Sequence, residues 1–258
     1  MSATLDYGNW IRSNKLIALG AGAIGAAGLA FLPLGPIPRL ALGGLSAILA
    51  ASVALPLYAR WAFSPGGGDL QRRLYGRIAD KLGPSFGGRV LDIGAGNGML
   101  AVHIALRHPQ AQVIGVDTWS AEWEYALATC ERNARIAGVA DRVTYQRGDA
   151  ARLPFEAGVF DVVVSNLTFH EVRHASSCAD LVVEALRVLK PGGTFVLIDL
   201  FYNARLYGPT NAFTDRLKAA GVTDLVLRPL DAELPIALPL KHPRALGQAG
   251  LLTGVKAA

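Results

Sequence analysis

Carboxylates beside a glycine-rich turn are the residues of this sequence whose types and spacing could bind a nucleotide-like ligand. Residues 89–98 read RVLDIGAGNG, in which an apolar run ends with an acid, Asp92. Glycines then occupy every second position: Gly94, Gly96 and Gly98. Glycine lets the backbone turn sharply and approach a ligand closely, and the helix that follows offers unpaired N–H groups. Asp117 and Asp149 follow later apolar runs and supply further acceptors.

An alternating series of strands and helices has to position these carboxylates. From residue 70 onward, short apolar runs alternate with helical patterns, which predicts an α/β fold with a doubly wound, mostly parallel, Rossmann-like sheet. The first helix is expected over residues 97–107, and strands are expected over 112–117 and 143–150. Ligands of such sheets lie beyond the carboxyl ends of the strands, where Asp117 could accept hydrogen bonds from ribose hydroxyls.

The glycine turn and the motifs after it resemble class I S-adenosyl-L-methionine (SAM) dependent methyltransferases of the ubiquinone/menaquinone (methyltransferase type 11) group. A dinucleotide fingerprint would need its third glycine where Met99 stands. Gly148-Asp149-Ala150 with the LPF and FD that follow it, and LRVLKPGGTFVLIDL at 186–200, stand in that family's order. The resemblance implies a seven-stranded sheet whose last strand is antiparallel, SAM as the cofactor, and methyl transfer as the reaction.

The resemblance also implies which residues hold the cofactor. Asp92 and the glycine turn would hold its methionine end, and Asp149 would receive its adenine amino group, a donor that a carboxylate can accept. Trp119 could stack on the adenine; a core position or a membrane-interface anchor is the alternative. The expected contacts are Asp92, Gly94, Ala95, Gly96, Gly98, Asp117, Thr118, Trp119, Asp149, Ala150 and Asn166.

His170 and Glu171 follow the predicted fourth strand and are the candidate catalytic residues. His170 either acts as a general base or substrate orienter or has a hydrogen-bonded structural role. The segment from His170 to His174 also satisfies H-E-x-x-H, which on a helix would hold zinc for a membrane metalloprotease. Because this segment begins at a strand end and no convincing third ligand follows, we expect no metal.

Two uncharged apolar segments precede the α/β region and predict a membrane anchor. Residues 16–34 and 40–59 are each close to the roughly 20 residues that span a bilayer. The short GPIPR linker makes them antiparallel neighbours, and small residues would allow close contact: Gly20, Gly25, Gly28, Gly43, Gly44, Ala47 and Ala51. The predicted organisation is an anchor over 1–63, a linker over 64–69 and a methyltransferase domain over 70–258.

The distribution of charge predicts that both ends of this hairpin face the cytoplasm. Arg12 and Lys15 precede the first segment and a basic stretch follows the second, whereas the linker holds only Arg39. The positive-inside rule then keeps the ends in the cytoplasm and the linker outside. Two alternatives stay open: the first segment is a signal peptide, or the hairpin lies on the membrane or packs on a partner. Cys130 and Cys178 fit no disulfide framework, which agrees with a reducing compartment.

The anchor favours a small acceptor that is hydrophobic or lipid-like, such as a quinone precursor. The net charge of +5 therefore points to a membrane as partner, and no motif favours nucleic acid. Since a fold alone does not establish chemistry, a membrane module that binds SAM or a nucleotide without turnover is the second hypothesis.

Overall fold

The computed structural model describes residues 4–11, 13–84, 86–120 and 126–258, with only the backbone at position 15. Arg12 and the side chain of Lys15, on which the predicted orientation of the hairpin partly rests, lie outside this description. The chain divides into two compact units, Gly8–Leu70 and the residues up to Tyr7 together with Gln71–Ala258. The second unit is therefore built from both sides of the first in sequence.

The unit Gly8–Leu70 is an antiparallel pair of helices, α1 (Ser13–Leu29) and α2 (Pro36–Phe63). Ser46 in α2 donates a hydrogen bond to the carbonyl of Ala23 in α1 (Oγ–O 2.9 Å). At the open end of the pair, Arg60 donates to the carbonyl of Ile11 (2.5 Å), and the rings of Trp10 and Phe63 lie 4.8 Å apart. Helices of this kind pack through small side chains and interhelical hydrogen bonds.

The bounds of both helices differ from the predicted segments 16–34 and 40–59. After Leu29 the backbone bonds change to i→i−3, as in the pair from the Phe31 amide to the Gly28 carbonyl (3.1 Å), and Pro33 then disfavours helix at Leu32. Proline is tolerated in the first turn, so α2 starts already at Pro36. The predicted glycine contacts are wrong, because a Cβ at five of these glycines would meet no heavy atom of the described residues within 4 Å: Gly20, Gly25, Gly28, Gly43 and Gly44.

A seven-stranded sheet forms the centre of the second unit, as predicted. The strand order is β3-β2-β1-β4-β5-β7-β6, with β1 to β5 parallel and β7 antiparallel to both of its neighbours. The strands are β1 Arg89–Ile93, β2 Gln112–Asp117, β3 Val143–Arg147, β4 Phe160–Asn166, β5 Leu189–Asp199, β6 Val222–Pro229 and β7 Gly250–Lys256. Because β1 to β5 run the same way, their last residues meet at one side of the sheet, which we call the carboxyl edge.

Helices cover the sheet and bury its apolar strands. They are α3 Leu70–Asp80, α4 Met99–Arg107, α5 Leu127–Ile136, α6 Cys178–Val188, α7 Ala204–Tyr207, α8 Thr210–Ala219 and α9 Leu230–Glu233, with 3-10 turns at Phe169–Glu171 and Leu238–Lys241. Strand β4 is buried along nearly its whole length, as expected for a central parallel strand with both faces covered. This rigid sheet fixes the positions of the residues at its carboxyl edge.

Candidate active site

The carboxyl edge brings together the ends of five strands, which hydrogen bonds join in sequence across the sheet. The Gly148 amide after β3 donates to the carbonyl of Asp117 at the end of β2 (3.0 Å). Ser165 near the end of β4 donates to the carbonyl of Ile93 in β1 (2.8 Å), and the Phe169 amide donates to Asp199 at the end of β5 (2.8 Å). The sequence-predicted site residues therefore share one edge, although 79 positions separate Asp92 from Glu171 in number.

The glycine turn between β1 and α4 is shaped for a close approach of the backbone. Gly94 has φ +79° and Gly98 has φ +77°, a region that residues with a Cβ avoid. A Cβ on Gly94 would lie 2.0 Å from the Thr168 hydroxyl, and one on Gly98 would lie 2.4 Å from the Tyr145 hydroxyl. The amides of Gly94 and Ala95 both donate to the carbonyl of Val116 (2.8 and 3.1 Å), which fixes the turn on β2.

We expect Gly94→Ala to destabilise the fold more than Gly83→Ala does. Both glycines have a similar positive φ, but a Cβ on Gly83 would meet no heavy atom within 4 Å in the ranges that the structure describes. Gly83→Ala should lower the free energy of unfolding by about 1–2 kcal/mol through φ alone. Gly94→Ala should lower the free energy of unfolding by about 1–3 kcal/mol more than Gly83→Ala does, because Thr168 must move to make room for the Cβ. Denaturant unfolding of both purified variants measures the difference, and equal losses would contradict the steric account.

Asp92 and Asn166 each have one buried side-chain oxygen without a hydrogen-bond partner in the part of the chain that the structure describes. Asp92 is 1% exposed and its Oδ2 has no hydrogen-bond partner; Asn166, 9% exposed, has none at Oδ1. Burial raises the pKa of Asp92 to about 7, against an opposing effect of the Ala101 amide. Unpartnered buried oxygens are rare in folded proteins and call for an explanation. A cofactor with an ammonium group and hydroxyls fits these oxygens beside the glycine turn.

Asp117 is positioned by two backbone amides at the end of β2. Its Oδ2 accepts from the Gly96 amide and its Oδ1 from the Trp119 amide (both 2.9 Å), so it joins the glycine turn to the loop after β2. The carboxylate still has lone pairs for ribose hydroxyls. The Thr118 carbonyl accepts a hydrogen bond from Arg147 (2.5 Å), which ties this loop to β3.

Trp119 packs beside the glycine turn. It is 6% exposed at φ +41°, its indole Nε1 donates to the Gly96 carbonyl (2.8 Å), and it contacts Ala95 and Cys130 in a small apolar cluster. The carbonyl of Gly96 also accepts from the Cys130 thiol (3.0 Å). Stacking of Trp119 on adenine stays a prediction.

Asp149 follows β3 and is paired with a histidine. Its Oδ1 accepts from the Ala151 amide (2.9 Å), and its Oδ2 lies 2.8 Å from Nε2 of His174. Ala150 is 9% exposed and packs in the main core. Since a carboxylate oxygen has more than one lone pair, Asp149 can keep His174 and still accept from an adenine amino group.

His170 and Asp199 form a hydrogen-bonded pair in which the carboxylate is fully buried. Nδ1 of His170 lies 3.0 Å from Oδ1 of Asp199, which is 0% exposed and also accepts from the amides of Phe169 (2.8 Å) and Leu200 (2.6 Å). Because Asp199 offers acceptors to these donors, Nδ1 carries the proton and Nε2 of the neutral ring has a free lone pair. Glu171 Oε1 lies 3.5 Å from this Nε2.

These two carboxylates favour the charged form of His170. Burial by itself disfavours a charged imidazole, but the charge and hydrogen bond of Asp199 and the charge of Glu171 outweigh it and raise the pKa of His170 above its usual value. The ring is held in one orientation, has an acceptor nitrogen when neutral, and is stabilised once it takes a proton. This is the geometry of a general base with a positioning carboxylate.

The zinc alternative does not fit the conformation of residues 170–174. The motif needs one helix face for its two imidazoles, whereas the 3-10 turn ends at Glu171 and no helix follows until Cys178. The imidazoles point to different partners, Asp199 for His170 and Asp149 for His174. Across the described ranges no group of three or more His, Cys, Asp and Glu side chains could hold a metal ion.

Asp199 is the site residue whose role the sequence reasoning missed. The motif at 186–200 contains Asp199 but predicted neither a partner nor a function for it. The sequence nevertheless contains a pattern that could have predicted this role. Asp199 ends β5, the strand that pairs with β4, and the segment with His170 follows β4. An acid at that position is adjacent to the segment after β4 in a parallel sheet.

Residues 91–197 match the family described as a methyltransferase domain. The chain is 31% identical over 132 residues to the ubiquinone/menaquinone biosynthesis C-methyltransferase of Cereibacter sphaeroides, which covers 51% of this chain and 50% of that protein. It is 35% identical over 127 residues to the 27-O-demethylrifamycin SV methyltransferase of Amycolatopsis mediterranei, which covers 49% of this chain and 44% of that protein. The chain thus spans about half the length of the curated relatives it matches.

A solved structure shares the fold. The geranyl diphosphate C-methyltransferase of Streptomyces coelicolor A3(2), in complex with Mg²⁺, geranyl-S-thiolodiphosphate and S-adenosyl-L-homocysteine, superposes with a TM-score of 0.55. The superposition covers 73% of this chain and 77% of that chain at 17% identity. At this identity the likeness extends to the fold alone.

Proposed function

We propose that this chain, whose residues 91–197 form a class I SAM-dependent methyltransferase domain, is anchored in a membrane and methylates a small hydrophobic or lipid-like acceptor. The predicted methyltransferase domain and its seven-stranded fold are confirmed, and SAM is the cofactor of such a domain. The membrane, the acceptor and the roles of individual residues are the parts that we propose. The observation that carries the proposal is the carboxyl edge, which holds the glycine turn, the unpartnered buried oxygens of Asp92 and Asn166, and the oriented ring of His170.

Three carboxylates would hold the cofactor along the carboxyl edge. Asp92 would face the ammonium of its methionine end, Asp117 its ribose hydroxyls and Asp149 its adenine amino group. The positive-φ glycines let the backbone approach, and Asn166 would use its unpartnered oxygen. When bound, the cofactor supplies a methyl group that its sulfonium already activates, so the protein has mainly to align the acceptor and exclude water.

His170 would remove the proton that the acceptor loses. Methylation at a carbon or a hydroxyl leaves one proton to be taken up, and the Nε2 lone pair of neutral His170 can take it. Asp199 would keep the ring oriented, as a positioning residue, and Glu171 would stabilise the imidazolium that forms. The proton would then pass to solvent, because the His170 side chain is still 21% exposed.

The membrane part of the proposal rests on the helical hairpin. Among the described residues, one helix, Pro36–Phe63, is long and apolar enough to cross a membrane, and only 6% of its 18-residue apolar stretch is buried. The apolar part of α1, Leu16–Leu29, is shorter. Large apolar side chains of the hairpin are exposed: Phe31 is 88%, Ile37 79% and Ile24 76% exposed. Water disfavours such a surface, whereas lipid tails would cover it.

The second unit supports a hairpin with both ends on one side of the membrane. Residues up to Tyr7 and from Gln71 onward belong to the same compact unit, so the chain between them has to leave and return on the same side. A single crossing by α2 alone would separate these residues. We therefore propose two spans, in which α1, about 26 Å long for 17 residues, is completed by the apolar turn that follows it. The cytoplasm is the proposed side, from the positive-inside rule.

Incubation of the full-length protein with methyl-labelled SAM and a membrane-lipid extract tests the proposed function. We expect label in a small hydrophobic species, identified by mass spectrometry. Label in a water-soluble molecule alone would contradict the proposed acceptor class. Tight binding of SAM without any labelled product would favour the module without turnover, especially if His170→Ala changed no measured property.

A charged substitution on the exposed surface of the hairpin should release the enzyme from the membrane and so reduce its access to acceptors dissolved in lipid. Ile48 is 67% exposed, and a lysine at a membrane-helix centre costs about 2.5–3.5 kcal/mol on insertion scales. We expect Ile48→Lys to move protein from the membrane pellet to the soluble fraction and to slow turnover in lipid vesicles about tenfold or more. Val226→Lys makes the same change at an exposed residue of the sheet and should do neither. An Ile48→Lys protein that stays in the pellet at full activity would exclude this anchor.

A further inference from the structure

The chain before the hairpin packs against the glycine turn of the cofactor site. We call residues 5–7 the N-terminal strap. Although Asp6 and Asn97 are 91 positions apart, the Asn97 side chain donates to both the carbonyl and the carboxylate of Asp6, each at 3.4 Å. Asn97 lies between Gly96 and Gly98, in the middle of the turn that approaches the cofactor, and is 6% exposed.

Asn133 joins the strap to the turn with hydrogen bonds in both directions. Its Oδ1 accepts from the Asp6 amide (2.9 Å), and its Nδ2 donates to the carbonyls of Asp6 (2.8 Å) and Asn97 (2.9 Å). The side chain is 0% exposed, so these bonds have no competition from water. The Asn133 side chain thus pairs with both backbone polar groups of Asp6, as a neighbouring strand would. Its second Nδ2 N–H bonds to the glycine turn at the Asn97 carbonyl.

Two further contacts hold the strap beside the same turn. Arg132 pairs with the carboxylate of Asp6 (3.1 Å). The Tyr7 hydroxyl lies 3.0 Å from Nε2 of His103 in α4, the helix that starts directly after the turn. The Tyr7 ring also stacks on Tyr75 in α3, at 6.5 Å and 24°. The strap therefore contacts α3, α4, α5 and the turn.

We propose that the N-terminal strap is a positioning element of the cofactor site, and that Asp6 and Asn133 are its positioning residues. By holding the Asn97 peptide, they keep the glycine turn in the conformation that the cofactor needs before it binds. A preorganised site binds more tightly because the ordering of the turn is already complete. The proposal rests on the proposed function in one respect, that the turn binds SAM.

The strap also connects the cofactor site to the anchor. Gly8 is the next residue and begins the unit Gly8–Leu70, so the strap is covalently continuous with the hairpin. Thermodynamic coupling is reciprocal. If the strap strengthens cofactor binding, the bound cofactor must stabilise the strap by the same factor.

The full-length protein in detergent allows a direct test with S-adenosyl-L-homocysteine, the demethylated product, as the probe. Asp6→Pro removes the N–H that donates to Asn133 and the carboxylate that contacts Asn97 and Arg132. We expect its dissociation constant, from calorimetry, to rise about tenfold. The Tm without ligand should fall somewhat, because the buried Oδ1 of Asn133 loses its donor. At saturating SAM, kcat should stay near that of the unaltered protein while KM for SAM rises. Thr4→Pro puts the same ring at an exposed residue two positions earlier and should bind normally.

Hydrogen exchange supplies the second readout. The probe should slow exchange in the N-terminal peptide of the unaltered protein, and it should fail to do so in Asp6→Pro. Equal affinity of Asp6→Pro and the unaltered protein for the probe would overturn the proposal. So would a hydrogen-exchange rate at residues 5–8 that is the same with and without the probe. If the unaltered protein binds no S-adenosyl-L-homocysteine, the proposed function itself fails, which is a different result.

Discussion

His170→Ala is expected to lower kcat by about 10²- to 10⁴-fold while the dissociation constant of the cofactor stays the same. The reason is that Nε2 of neutral His170 has a lone pair that can accept a proton, on a ring that Asp199 holds through Nδ1. Turnover of methyl-labelled SAM, together with calorimetry on the same sample, separates chemistry from binding. His242→Ala is the matched control, because that histidine is exposed and lies on the segment before β7. A normal kcat in a folded His170→Ala protein would contradict the proposed base and would indicate that the His170–Asp199 pair is structural.

The pH profile distinguishes the proposed base from a structural histidine. Only neutral His170 can accept a proton, so kcat/KM should fall as the pH drops through its pKa, which is raised above the usual value for histidine. Asp199→Asn removes the main charge that favours the imidazolium, and burial then lowers the pKa. The acid limb of the profile should move to lower pH, and the plateau should drop because the ring loses its orientation. Glu171→Gln should shift the limb in the same direction and leave the plateau higher than in Asp199→Asn.

Asp92→Asn is expected to stabilise the ligand-free protein above pH 7 and to weaken its cofactor binding. Burial raises the pKa of Asp92 from 3.8 to about 7. Between these values the folded state binds a proton that the unfolded state has lost, so stability falls as the pH rises and the full loss is present above about pH 7. The asparagine variant lacks this loss, and its free energy of unfolding at pH 8 should be higher by on the order of 4 kcal/mol.

Denaturant unfolding at several pH values measures this effect. The two proteins should have nearly equal stability at pH 4 and should diverge toward pH 8. Asp141→Asn, at an exposed side chain, is the control and should show no such divergence. A parallel decline of Asp92→Asn and the unaltered protein between pH 4 and 7 would show that Asp92 ionises normally.

Cofactor binding should show the opposite dependence on pH. The ammonium of S-adenosyl-L-homocysteine favours an ionised Asp92, so the affinity of the unaltered protein should rise as the pH increases through about 7. In Asp92→Asn the affinity should be lower and nearly constant over this range. Asp92 thus destabilises the ligand-free protein but strengthens cofactor binding, a combination that is common at functional sites.

The alternating part of the chain was largely predictable, because strand period and turn residues are local signals. The second strand is Gln112–Asp117, as the sequence predicted. Two boundaries moved for tertiary reasons. Helix α4 begins at Met99 instead of 97, since Gly98 has a positive φ, and β3 ends at Arg147 instead of 150, since Asp149 turns back to bridge with Arg152.

The sequence by itself determined the class of fold and the place of the methyltransferase motifs, because these motifs stand in order along the chain. It also determined that Asp92, Asp117 and Asp149 share one edge, since parallel strands end together. Only the tertiary structure decided which groups pair there. The partners Asp199 and His170, or Asp6 and Asn133, meet through the order of strands and the return of the chain after the hairpin, and residues 29 or 127 positions apart carry no local signal of contact.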